Sequence, residues 1–221
     1  SAADLLDFYW DRQTEGERHE RLLHIKSAVA TMRQLTDDLL VHMRTETGAL
    51  QVHPEPLDIN ALAQRVVGEL TLTEGRDVTV TLQPAPSPRP VQADPNLMTL
   101  VLRNLLSNAV KYSPPGKAVC LSIAQDNGHT VLTLRDEGIG IPPEEQAHLF
   151  TPFFRASNVG HTPGTGLGLS IVKRAVELQG GVLTFESAPG HGTTFHVTLP
   201  HATPPKPVSE MEPQAVPLAS E

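Results

Sequence analysis

The amino-acid sequence predicts an α+β protein, with a helical region over 1–50, a mixed helix and strand domain over 51–200 and a polar tail over 201–221. Three observations carry this. Leu22, Ile25, Val29, Met32, Thr36, Leu39 and Met43 fall at alternating steps of three and four, the period of a helix with one seam. Two pairs of alternating segments, 118–125 with 130–135 and 182–187 with 194–199, read as hairpins, the first joined by Asp126-Asn127-Gly128. Asp94-Pro95 is a strong helix start, an N-cap residue followed by proline at the first helical position.

Composition narrows the class. The chain has 221 residues, 39% hydrophobic and 19% charged, enough for one ordinary domain and a smaller element. No stretch approaches the roughly eighteen apolar residues of a membrane span, and Ser1-Ala2-Ala3-Asp4 has no signal-peptide character. The net charge of −8 argues against nucleic acid as a main partner, since phosphate-backbone binders present a basic face. The single cysteine, Cys120, alternates with Val119 and Leu121 and is expected to be a buried small hydrophobe in a reducing cytoplasm.

In chain order, Leu5, Leu6, Phe8 and Tyr9 mark a first helix, and Thr14-Glu15-Gly16-Glu17 has the form of a capping box that starts a second. The seam of that second helix needs a cover; either a second copy of the chain supplies it, giving a homodimeric bundle, or the helix lies on its own domain. Thr36 is its one polar interruption. The helix should stop near Thr47-Gly48, followed by a connector through Pro54 and Pro56. Asp58 then caps a helix over 59–70, 78–82 reads as a strand, the proline-rich 84–90 as a loop and 91–93 as a short strand. A short helix over 144–149, an irregular stretch over 156–165 and a helix over 170–179 come later. From His201 onward the chain is proline-rich and aperiodic, and it reads as disordered.

Four motifs carry the chemistry. Gly164-Thr165-Gly166-Leu167-Gly168-Leu169 runs into a helix, where glycines let backbone approach a ligand and the first helical turn offers N–H groups to an anion. Alone, such a run serves equally well as a flexible loop. Asn104, Asn108 and Lys111 step by four and three onto one side of a helix, while Leu102, Leu105 and Ala109 face elsewhere. Asparagine is a poor mid-helix residue, and binding a divalent cation that carries a triphosphate would explain two of them. Asp136 ends a strand just before Gly138 and Gly140, and Phe150, Phe153, Phe154 and Arg155 form an aromatic segment between the two glycine motifs.

The order and separation of these motifs resemble the N, G1, F and G2 boxes of bacterial sensor histidine kinases, over about 51–200. The resemblance implies a two-layer α/β sandwich of Bergerat type, preceded by a helical hairpin that dimerises. It implies ATP and Mg2+ as ligands: Asn108 on the metal, Asn104 as a weaker contact, Lys111 on the phosphates, Tyr112 beside the base or sugar, and Asp136 accepting from the adenine amino group. Gly138 and Gly140 would close over the ring, a lid over 144–168 would cover the nucleotide, and Arg155 would reach phosphate oxygens or the accepting domain. Gly192, Thr193 and Thr194 resemble the last family box.

The same resemblance implies transfer of the γ-phosphoryl group to a histidine and then to an aspartate of a response regulator, with a sensor domain upstream in a soluble or membrane-anchored parent. The family's accepting histidine precedes an acidic residue and has proline four positions on. His19-Glu20 has the acidic neighbour, but position 23 is Leu23, so the acceptor is expected to lie upstream of Ser1. Two competitors are an ATPase clamp, which needs a glutamate base where Asn104 stands, and a non-catalytic module that keeps the pocket.

Overall fold

The computed structural model describes residues 14–46, 51–73, 78–86, 89–126, 128–160, 162 and 164–201. Its elements are α1 (Glu15–Glu46), β1 (Glu55–Leu57), α2 (Ile59–Thr73), β2 (Thr79–Gln83), β3 (Val91–Ala93), α3 (Pro95–Tyr112), β4 (Ala118–Gln125), β5 (His129–Asp136), α4 (Gly168–Leu178), β6 (Val182–Ser187) and β7 (Thr193–Pro200). Short 3-10 turns occupy Pro143–His148, offset by one residue from the helix predicted at 144–149, and Ser157–Val159.

The capping box forms as its sequence requires. Glu17 N–H donates to Thr14 Oγ1 at 3.3 Å and Thr14 N–H to Glu17 Oε2 at 2.8 Å, which holds the Glu17 carboxyl below its ordinary range. Along α1, Leu22, Val29, Met32 and Met43 are exposed and Ile25 is half-buried, so most of the seam faces outward. Thr36 donates to the Met32 carbonyl at 3.0 Å, satisfying the polar interruption within its own helix. The helix predicted over 1–13, the stop at Thr47-Gly48 and the tail over 202–221 lie outside the described residues.

The connector is more ordered than its prolines suggest. Glu55–Leu57 pairs antiparallel with Val91–Ala93 as a two-stranded ribbon, and Pro56 is tolerated there because an edge strand leaves one side of its backbone unpaired. Asp58 caps α2 through Ala61 N–H at 3.0 Å, and that helix runs three residues past its expected end. Buried Asn60 exchanges two hydrogen bonds with Ala85, at 3.0 and 3.1 Å, and pins the proline-rich loop to α2.

The main sheet has the order β2-β4-β5-β7-β6, with β2 parallel to β4 and every other pair antiparallel. Alternation defines its two faces. Val119, Leu121, Ile123, Leu132, Leu134, Phe195, Val197 and Leu199 are buried against α2, α3 and α4, while the intervening residues stay half or fully exposed. This is the two-layer arrangement expected. Cys120 corrects the sequence reading: period-two alternation puts it on the opposite face from Val119 and Leu121, where it is half-exposed. His201 is also ordered, its N–H donating to Gly128 O at 2.9 Å and its ring sharing a 2.9 Å hydrogen bond with the Thr130 hydroxyl. Among the described residues no helix is long and apolar enough to cross a membrane.

Candidate functional site

The site is built on α3. Its buried stripe of Leu97, Met98, Val101, Leu102, Leu105, Leu106, Ala109 and Val110 locks the helix onto the sheet, which fixes the opposite, half-buried face carrying Asn104, Asn108 and Lys111. Asn104 donates through Nδ2 to the Leu100 carbonyl at 3.0 Å, while its Oδ1 faces the glycine loop: a Cβ on Gly168 would stand 2.6 Å from it. Lys111 Nζ lies 4.9 Å from the centroid of the Tyr112 ring, and a Cβ on Gly164 would stand 2.7 Å from that Nζ. Asn108 sits between these two contacts on the same helix face.

Asp136 closes one end. It is only 7% exposed, and its Oδ1 accepts from Gly138 N–H at 2.8 Å and Thr193 N–H at 3.0 Å. Burial raises its pKa above the usual carboxylate value and outweighs the two N–H bonds, which act the other way. Ile139 N–H donates to Tyr112 O at 3.2 Å, and a Cβ on Gly138 would stand 2.7 Å from that same oxygen, so the turn is stitched to the end of α3. Gly140 has φ +67 and packs on the Ala188 carbonyl so closely that any Cβ would collide with it.

The glycine loop completes the arrangement. Gly166, at φ +74, lies on the backbone of Phe153, where a Cβ would come within 2.6 Å of the Phe153 carbonyl carbon. Thr165 Oγ1 accepts from Leu167 N–H at 3.1 Å. Leu167 is buried and Leu169 packs on the core, so what these two offer a ligand is backbone. Helix α4 starts at Gly168, two residues earlier than expected, so the last glycine belongs to the first turn, whose N–H groups lack helical partners. Arg155 donates to the carbonyls of Gly164, at 3.3 Å, and Thr162, which holds its guanidinium against this loop.

The aromatic segment divides. Phe150 anchors it, edge-on to Phe185 at 5.6 Å, and Phe154 lies tilted against His148, ring centroids 5.9 Å apart. Phe153 does not share in this anchoring, being 64% exposed with φ 64. Sequence reasoning missed the braces around the site. Asn158 donates to Gly140 O at 2.8 Å, and the Ser187 hydroxyl bonds Ile141 N–H, Gly192 O and Thr193 Oγ1 at 2.9–3.0 Å. Neither residue belongs to a motif; only their unusual side-chain bonding reveals them.

An amide-bearing helix face, a buried carboxylate after a strand and a glycine loop leading into a helix define a class, and comparison bears it out. The chain belongs to the family described as histidine kinase-, DNA gyrase B- and HSP90-like ATPases, whose model matches residues 93–203. Within that family it is homologous to the ATP-binding catalytic domain of sensor histidine kinases. It is 35% identical over 218 residues to the circadian input-output histidine kinase CikA of Synechococcus elongatus, an alignment covering 94% of this chain and 28% of that protein. The solved mycobacterial sensor histidine kinase MprB matches at 34% identity and TM-score 0.61, over 67% of this chain and 99% of that one. Full-length ShkA, solved in complex with AMPPNP, matches at 26% identity and TM-score 0.71, over 87% of this chain and 40% of that one. The chain spans 28–40% of the length of the curated kinases CikA, YkoH and MprB.

Proposed function

We propose that this chain binds ATP with Mg2+ and passes the γ-phosphoryl group to a histidine on a helical bundle, from which it moves to a response-regulator aspartate. The observation that carries this reading is the meeting of four separated segments: Gly168 against Asn104, Gly164 against Lys111, Gly138 against Tyr112, and Arg155 on the Gly164 carbonyl. Asp136 accepts from the adenine amino group, which makes it the selector of adenine, and Tyr112 lines the base or sugar. Lys111 meets phosphate oxygens, and the first turn of α4 presents N–H groups to them. Arg155 leaves its loop carbonyls to meet phosphate or the accepting domain. The nucleophilic imidazole nitrogen bonds to the γ-phosphorus as the bond to the β–γ bridging oxygen breaks, and ADP leaves with that electron pair.

Magnesium fits the donor set. A half-buried amide flanked by Asn104 and Lys111 offers one hard oxygen, which suits a cation that draws its other ligands from phosphates and water. Asn108 is the residue that would hold it, and when bound the ion neutralises charge on the triphosphate. The accepting histidine is supplied from outside the pattern around His19, which lacks the proline. Two copies pair through the α1 seam, and the parent protein joins an upstream sensor to this region on the cytoplasmic side.

The test is calorimetric titration with Mg2+ and a non-hydrolysable ATP analogue. Binding that depends on Mg2+ and drops more than about tenfold in both Asn108→Ala and Asp136→Ala supports the reading. Equal binding by the variants and the parent refutes it. Phosphorylation of a separately supplied bundle domain carrying the complete acceptor pattern tests the transfer step.

A further inference from the structure

The base of α3 is tied to two other parts of the molecule, the segment at His53 and the end of α4, through a single buried residue. Asp94, 4% exposed, accepts through Oδ1 from Asn96 N–H at 2.9 Å and Leu97 N–H at 3.2 Å, which caps α3. Its other oxygen, Oδ2, accepts from His53 N–H at 3.0 Å. Its own N–H donates to Gln179 Oε1 at 2.9 Å, and Gln179, 3% exposed at the end of α4, donates in turn to Ala175 O at 2.9 Å. The cap needs only one carboxylate oxygen, so the second oxygen serves a different purpose. It grips the segment that enters from α1, just ahead of the place where that segment pairs with β3.

From this we propose that Asp94 is a positioning residue that couples the α1 connector to the nucleotide site through α3 and α4. The inference rests on the nucleotide reading above. Both helices fastened at Asp94 and Gln179 carry ligand-facing groups at their other ends, Asn108 and Lys111 on α3 and the Gly168 turn on α4. Fourteen residues of helix separate Asp94 from Asn108, about 21 Å at 1.5 Å per residue. A helix of that length acts as a lever, so a tilt of about 5° at its base moves Asn108 by about 2 Å, and a shift of about 1 Å already matters for aligned groups. Tension or rotation in the connector reaches His53 N–H first and is passed to the site by the carboxylate.

The coupling is reciprocal, which supplies a test needing no variant. In the full 221-residue chain, saturation with Mg2+ and a non-hydrolysable ATP analogue is expected to slow hydrogen exchange at the His53 amide several-fold. His53→Pro removes that donor and leaves the α3 cap intact. Asp94→Ser keeps a capping oxygen but lacks the second one. Each should weaken analogue binding about fivefold, with the double variant no weaker than the worse single, as for two ends of one interaction. His53→Pro binding as the parent does, or an unchanged His53 exchange rate in a parent that binds, overturns the coupling alone. A parent that binds no nucleotide overturns the site reading instead.

Discussion

At the residue scale Asp136 is the group with most at stake, because it is buried with its charge opposed by desolvation and supported by only two N–H donors. Its raised folded pKa means that the native state binds the proton more tightly than the unfolded chain does. The stability from that proton is fully present below the ordinary aspartate value of 3.8 and is lost as pH rises through the folded pKa. Asp136→Asn retains a carbonyl oxygen for Gly138 and Thr193 and removes the charge. Denaturant titrations should therefore find the variant at least as stable as the parent at neutral pH. The parent should recover relative to it as pH falls toward 3.8. Adenine-nucleotide affinity should nevertheless fall about tenfold or more, since the acceptor proposed for the amino group is weakened. A parent–variant difference that does not change with pH would mean that this carboxyl is not strained by burial.

At the element scale the segment over 144–168 shows a conflict that the sequence conceals. Phe153 takes a left-handed φ of 64 while 64% exposed, and its backbone lies against Gly166 where no side chain fits. The two strains have opposite cures. Phe153→Gly should stabilise by about 0.5–1 kcal/mol, because glycine adopts that φ without penalty and little packing is lost. Gly166→Ala should destabilise by about 2 kcal/mol or more and abolish nucleotide binding, since its Cβ meets backbone that cannot yield. Thermal melts and analogue titrations of both variants check this pair. The helix starts were legible because caps are local chemistry: Thr14 with Glu17, Asp58 with Ala61, and Asp94 with Asn96 all bond within three residues. The β1–β3 ribbon, the parallel β2–β4 pair and the Asp94–His53–Gln179 junction were not, because each joins residues tens of positions apart. Within the site the same division holds. Asn104 and Lys111 were visible from helical spacing, whereas Asn158 and Ser187 acquire their roles only once the chain brings Gly140 and Ile141 beside them, 18 and 46 positions away.

At the scale of the whole molecule, the catalytic layer closes its own core while α1 does not. A 32-residue helix is about 48 Å long, and its contact with the shorter α4 leaves Leu22, Val29, Met32 and Met43 exposed. Heptad-spaced apolar residues left in water over that length are the surface a second copy would cover, each worth roughly 1.5–3 kcal/mol when fully buried. Sedimentation equilibrium should therefore find the parent dimeric at micromolar concentration, and Val29→Lys combined with Met32→Glu should shift it to monomer. Because both positions are exposed within one copy, the monomer should keep its melting behaviour in the catalytic layer and its analogue affinity within about twofold. Phosphorylation of a supplied acceptor domain should persist as well, since the proposed nucleotide contacts come from α3, α4 and the turn after β5, all within one chain. A parent that sediments as a monomer at tens of micromolar would assign the seam to some other partner, and loss of analogue binding on dissociation would place part of the nucleotide site across the pair.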